Sequence, residues 1–556
     1  MISRLLVLGL FVSGTSPALA FPSFRPIVPA RIPDVTPVYA PAAVFVALDD
    51  RMSYSKLRPA VHVPNLCRFH YRVGTDSQDC QKFVDQALGY FYSYVWIDAA
   101  RSAETATRLD PKCAYAWLVL SKSLEKWGQG DSAGALKKAQ ESMPSAPHRE
   151  QMLITSRLME KGLAGTGSAD NKKKEAARTL DEMLTIYDDD EEAWFARGAM
   201  HGGFQGGPNE GVPYYKALLL VNPLHPGANH ELVHFYENSR RPALGWKYAE
   251  GYIASSPGIP HAFHMQSHLA TRIGKWDKTS DRSWHAIELE REYHAIQGVK
   301  PFQDHQFSHH LETLTISLLH DGRYREAQEI KRESEKHGYR FTALWFRLAV
   351  GQRDWSEAEK VIAEHRKSDK PAASYMAALM YLDRGDIAKA TAEVDVLRHA
   401  YQSHRTDRKL EHRLWETQGR LLCMTGSGDA GLKLVQRVVE KTKGDYYHHA
   451  WGGGAYYMEA WGVAGLDAGN AEVAEEAFLE ALAHDAGSVR AAMGMEAICG
   501  RVGRTDEALS FATLAQRLWA KADSRDFAAL KAEIVQRAAH ICPSATTAGI
   551  GFSTTK

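Results

Sequence analysis

The sequence predicts an all-α fold: an α-solenoid of helix–turn–helix repeats, coiled into a superhelix with a concave groove. Three observations carry this expectation. Apolar residues recur at helical spacing from near Phe83 almost to the C-terminus. Glycine and proline fall mostly where helices should end, and runs of alternating β-branched residues are missing. Features also return at a fixed period, most plainly at Pro223 and Pro257, which lie 34 residues apart. Stacked repeats bury a continuous core, so a chain of 556 residues built this way need not divide into conventional domains.

Taken in chain order, residues 1–20 read as a secretory signal peptide. Arg4 gives the positive start, Leu5–Val12 a short apolar run, and Ala18-Leu19-Ala20 a small-residue cleavage site before Phe21. That run is too short to span a bilayer, and no later stretch is long enough, so no transmembrane segment is expected. The expectation is an exported protein, most simply periplasmic in a bacterium, cleaved after Ala20. Residues 21–75 open with a proline-rich run without helical periodicity (Pro22, Pro26, Pro29, Pro33, Pro37 and Pro41) and read as an extended lead-in. Residues 76–340 form an N-terminal and central repeat array, residues 341–540 a C-terminal array, and residues 541–556 a flexible tail.

Within the arrays, Phe83, Tyr90, Ala99 and Ala106 precede Pro111 as large, large, small and small residues, and alanine lets the two helices of a hairpin approach closely. Trp117, Leu120, Ser121, Leu124 and Ala133 open the next unit. Another runs from Trp194 and Gly198 to Pro223, and its successor ends at Pro257. Gly469, Ala474, Phe478 and Ala481 form one late repeat, and Gly503, Ala508, Ala512 and Ala515 the next, with weaker units around Gly351–Ala358 and Gly385–Ala390.

This pattern resembles the tetratricopeptide-repeat superfamily over most of residues 75–525. More narrowly, DSQDCQKFVDQALGYFYSYVWIDAARSAETATRLDPKCAYAWLVLS (76–121), HPGANHELVHFYE (225–237), HAFHMQSHLATRIGKW (261–276) and RLWAKAD (517–523) are similar to a branch of secreted, histidine-rich bacterial members. That branch carries an Asn-His near Val95–Ile97, where this chain has Val-Trp-Ile. The resemblance implies scaffold and export and brings no mechanism with it. It also implies that positions 2, 5, 9 and 12 of each repeat's first helix line the groove.

Histidine placement supplies the functional clue. His230 and His234 recur 34 residues on as His264 and His268. With Pro226 and Pro260 as first positions of two successive repeats, both pairs take positions 5 and 9. His261 takes position 2, and Glu237 takes position 12 behind His234. Residues four apart on a helix share a face about 5–6 Å apart at Cβ, and packed helices lie about 8–10 Å apart. The imidazoles should therefore converge, and neutral imidazole suits zinc, copper or iron. A third wall is expected from His305 and His309, with His310 and Glu312 nearby, offset by 41 residues rather than 34. Such a nitrogen-rich set excludes calcium as the natural occupant. The alternative is a groove of neutral histidines in a non-enzymatic scaffold that binds a peptide, a protein partner or a small molecule.

His230-Glu231-Leu232-Val233-His234 also spells the zincin protease signature. The reading is discounted because Glu231 falls at position 6, away from the groove, and a repeat helix is the wrong setting. Gly162–Asp170 lacks the Gly-Lys-Ser/Thr ending of a phosphate-binding loop, and Asp188–Glu192 is expected to complement a helix N-terminus. Tyr446–Trp451, followed by Gly452–Gly454, suits either a groove end or a tight junction. Isolated His285, His294, His365 and His484 are expected to be structural. Lys plus Arg equals Asp plus Glu at 67 each, and no basic stripe marks nucleic acid as a partner. Six cysteines fit an oxidising compartment, with Cys67–Cys80 and Cys499–Cys542 as candidate disulfides and no Cys-x-x-Cys pair for redox chemistry. No reaction is named by these residues.

Overall fold

The structure, a computed structural model, describes residues 51–165, 171–201, 210–445, 453 and 455–541. The signal-peptide and cleavage-site residues, the whole proline-rich run, Tyr446–Trp451 and the tail from Cys542 onward lie outside the described residues. Among those described there are 25 α-helices and no strand. They pair off along the chain as hairpins, from Gln78–Tyr92 with Trp96–Leu109 to Val489–Arg501 with Thr505–Leu518, and Ser524–Ala538 closes the array. Each helix packs mainly on its neighbours in sequence, which makes the fold a tetratricopeptide-like α-solenoid.

Local chemistry sets the helix starts. Asp131, Asp190, Asp354, Asp369, Asp386, Asp407, Asn470 and Ser488 each accept a backbone N–H of the helix that follows. Asp190 belongs to the acidic run, and it caps Glu191–Ala199 through Ala193 N at 2.9 Å, as expected. Pro226 and Pro260 open Pro226–Glu237 and Pro260–Arg272, where a missing N–H costs nothing. The small residues do what their spacing implies. A Cβ on Gly465 would meet the backbone of Ala474 at 2.8 Å, so the late hairpin closes only with glycine there.

The coil brings distant repeats into contact. Arg101 Nη1 donates to the Gln297 carbonyl at 2.6 Å. Trp276 Nε1 donates to Asp485 at 3.0 Å and Trp519 Nε1 to the His320 carbonyl at 2.7 Å. The long helix Trp276–Gln297 lies at this crossing. Ala286 and Tyr293 belong to the apolar core of the first half and Ile287 to that of the second.

Residues 51–76 form no helix and pack against the array. Arg68 N donates to Ser255 O at 2.7 Å, Gly258 N to Leu66 O at 3.1 Å, and Phe69, Tyr71 and Val73 are buried. Cys67 and Cys80 do not form the expected bridge. Cys67 instead lies 3.5 Å from the Ser256 hydroxyl, and Cys80 is buried as a free thiol. The extended segment carries Cys67 across to the C-terminal end of the helix Trp246–Ser255, away from the first turn of the helix that holds Cys80. Cys499 is buried, and its candidate partner Cys542 lies outside the described residues.

Candidate metal centre

Two successive repeats start in the same register, so their first helices offer the same positions to one place. Pro226–Glu237 carries His230, His234 and Glu237, and Pro260–Arg272 carries His261, His264 and His268. Phe307–His320 adds His309 and His310. Seven of these histidines form three overlapping triplets whose ligand atoms lie within 4.8 Å of one another: His230/His234/His261, His261/His264/His310 and His264/His268/His309. His230 Nε2 faces His261 Nε2 at 3.0 Å, and His268 Nε2 faces His264 Nε2 at 2.7 Å. All but His309 are buried.

The far side of several rings is held. The Tyr92 carbonyl can only accept, so His230 Nδ1 donates to it at 2.6 Å and Nε2 keeps its lone pair. His268 Nδ1 donates to Glu237 Oε1 at 2.6 Å, and His234 Nδ1 lies 3.5 Å from the other oxygen. His310 Nδ1 faces Glu290 Oε2 at 2.8 Å. Carboxylates and carbonyls behind imidazoles fix the tautomer and turn the second nitrogen towards a shared point, which is how ligating histidines are supported. His310 Nε2 and His261 Nδ1 have no hydrogen-bond partner among the described residues.

Burial is the main electrostatic force here. Together with neighbouring imidazoles it holds His230, His261 and His264 well below the usual histidine range. It lowers His268 and brings His310 down to about 3. These rings are neutral near pH 7, the state a metal requires. Burial opposes a charge on Glu237, but adjacent His268 and His234 outweigh it and hold the carboxyl well below its usual range. Behind His310, burial and the neighbouring Asp304 raise Glu290. Asp304 also faces His294 Nε2 at 2.9 Å.

The structure brings together His230, His234, His261, His264, His268 and His309, but not all the expected residues as ligands. Glu237 stands behind the rings as an orienting carboxylate. His305 is exposed and belongs to none of the triplets. The insertion lengthens Trp276–Gln297 to 22 residues, which Gly298 ends at φ 63°, and the next helix begins only at Phe307. His305 and His309 are therefore not a pair on one helix face, and His310 completes the wall instead. Glu312 is half-buried and also outside the triplets.

Nor is the concave face an open groove at this point. The turn after the first helix fills it. Tyr94, at φ 61°, lies against His230 at 4.5 Å between centroids and stacks on His234 at 5.9 Å. Its hydroxyl donates to Glu231 Oε1 at 2.6 Å, so the zincin glutamate is occupied by tyrosine on the other side of the ring. A left-handed aromatic residue costs of order 1–3 kcal/mol and persists where packing over-determines it. No residue pattern announced Tyr94, since a turn tyrosine many repeats away carries no periodic signal. His310 was visible only as a neighbour of His309, and Glu290 not at all.

No protein-family model matches the chain, and no curated protein matches it in sequence. Among solved structures it overlaps a human IFIT1 dimer with PPP-AAAA at 12% identity and a TM-score of 0.25, over 80% of this chain and 91% of that one. It overlaps yeast Tom70 at 12% identity and a TM-score of 0.23, over 84% and 89%. The fold therefore rests on the helix order and packing of this chain, and the site on its own geometry.

Proposed function

We propose that the protein is a repeat scaffold whose concave face holds a transition-metal ion on buried histidines, as a metal-binding protein or a metal-dependent enzyme. The convergence of seven histidines from three helices, several oriented from behind by a carbonyl or carboxylate, supports this reading best. Burying so many imidazoles is costly for an unoccupied polar groove, whereas a metal uses each lone pair. An all-nitrogen set favours zinc, copper or iron. We further propose that the chain is exported, on the pattern of residues 1–20; no helix among the described residues is long and apolar enough to cross a membrane. Elemental analysis of the purified protein tests the metal. About one or more equivalents of a single transition metal are expected, lost in the His264→Ala/His268→Ala variant. Metal well below one equivalent would overturn the proposal, and metal retained in that variant would remove it from this site.

A further inference from the structure

Beside the histidines lies a cavity of about 540 Å³ that the metal reading does not use. Its size is that of a small-molecule site. One face of Ala114–Trp127 supplies Tyr115, Leu118, Lys122 and Lys126 to it, residues at helical spacing. Phe91, Trp96 and Phe195 add aromatic walls, and Tyr94 with Glu231 separates it from His230 and His234. Aromatic faces of this kind take a flat apolar ring.

The polar groups are sparse and unevenly matched. Arg157 is paired with Glu125 and Glu160, and Lys161 with Glu125, so those carboxylates are already engaged. Lys122 Nζ sits 4.9 Å over the Phe91 ring, and its nearest carboxylate is Glu192 Oε2 at 3.8 Å. Glu192 is 1% exposed, takes a hydrogen bond from the Tyr92 hydroxyl, and is pushed up to about 8 by burial. It therefore stays largely protonated near neutral pH, and burial brings Lys122 down only to about 8, so the ammonium keeps most of its charge there. Lys126 lies at the edge, 5.9 Å from the Trp96 ring centroid. Two buried polar atoms of cavity-lining residues have no partner among the described residues: the Tyr115 hydroxyl, on a side chain with no exposure, and Glu231 Oε2. A buried hydroxyl without a partner costs stability, and a ligand acceptor would satisfy it.

We infer that this cavity is a binding site for a small aromatic carboxylate, with its ring between the aromatic walls and its carboxylate on the Lys122 ammonium and the Tyr115 hydroxyl. The inference does not depend on the metal. 2-Naphthoate, 2-naphthylmethanol and 2-naphthylmethylamine share the ring and differ in charge. They are titrated into the full-length protein by calorimetry, as purified and after chelator treatment. Saturable binding of one 2-naphthoate is expected, at least about tenfold tighter than the alcohol or the amine, because a charge-assisted contact is gained only by the acid. Lys122→Met should weaken the acid at least about tenfold and leave the alcohol unchanged, while Lys122→Arg keeps binding. Ala199→Phe, which fills the cavity from its rim, should abolish both, with circular dichroism confirming the helical fold. The inference is overturned if the amine binds as tightly as the acid, if Lys122→Met binds the acid unchanged, or if no member of the panel binds by millimolar concentration. It is also overturned if chelation alone removes binding, since the carboxylate would then sit on the metal.

Discussion

His230 Nε2 and His261 Nε2 face each other at 3.0 Å across the seam between two repeats. The opposite nitrogen of His230 is bound to the Tyr92 carbonyl, so this contact couples the first hairpin to the two central ones. Two imidazoles on one tetrahedral zinc, each at about 2.0–2.1 Å, stand about 3.3 Å apart. A shift of a few tenths of an ångström would turn this contact into a shared coordination site.

Glu237 is the support whose loss should be felt most directly. Glu237→Gln keeps the size of the side chain but removes the charge behind His268 and His234. Metal affinity, measured by competition with a chromogenic chelator, should fall about 10–100-fold with the helical content unchanged. Unchanged affinity would show that Glu237 does not orient the ligands.

Gly227 is where the first hairpin meets the histidine helix. An added Cβ would come within 2.5 Å of the Tyr92 ring and 2.6 Å of the Phe195 ring. Gly227→Ala should destabilise the protein by about 1–3 kcal/mol in denaturant unfolding. Metal affinity should fall with it, because Tyr92 also holds His230. Wild-type stability and affinity in this variant would contradict that coupling.

Among the described residues, Tyr94→Phe removes the only hydrogen bond to the Glu231 carboxyl, whose other oxygen already has none. A cost of about 1–3 kcal/mol is expected from chemical unfolding. A change below about 0.5 kcal/mol would mean that water replaces the tyrosine hydroxyl.

His225 gives a pH signature separate from the metal. Its Nδ1 accepts from Ala228 N at 3.1 Å and so caps the histidine helix, and burial brings the ring down to about 3. The unfolded ring takes up a proton below about pH 6.5, and the folded ring does not until about pH 3. This contribution is therefore complete above pH 6.5 and is lost as pH falls, by about 1.4 kcal/mol per unit. His225→Asn keeps a capping oxygen and removes the titration. The stability gap between wild type and variant should shift against wild type at that slope between pH 6 and pH 4, measured in chelator. A gap independent of pH would refute the assignment.

Mass spectrometry of the protein from an exporting host should show a chain beginning at Phe21. A chain retaining residues 1–20 would contradict export by cleavage after Ala20.

Much of the scaffold was legible because repeats advertise themselves. Prolines at 223 and 257 located the helix starts at Pro226 and Pro260, and those starts alone put His230 and His234 in line with His264 and His268. The third wall was misread at His305 because an insertion extends a helix without marking where the next begins. What closes the groove was not legible. Tyr92 and Tyr94 reach the site through the curvature of the superhelix, which sequence spacing does not encode, while Glu290 comes from the lengthened helix between the two histidine helices.

The central claim, a metal on the shared histidines, is tested most directly by anomalous diffraction from a crystal grown without chelator, at the zinc, copper and iron edges. The account predicts a peak at one edge, about 2.0–2.1 Å from nitrogens of at least three of His230, His234, His261, His264, His268, His309 and His310. Well-ordered rings in hydrogen-bond contact with one another, and no peak between them at any of the three edges, would contradict it.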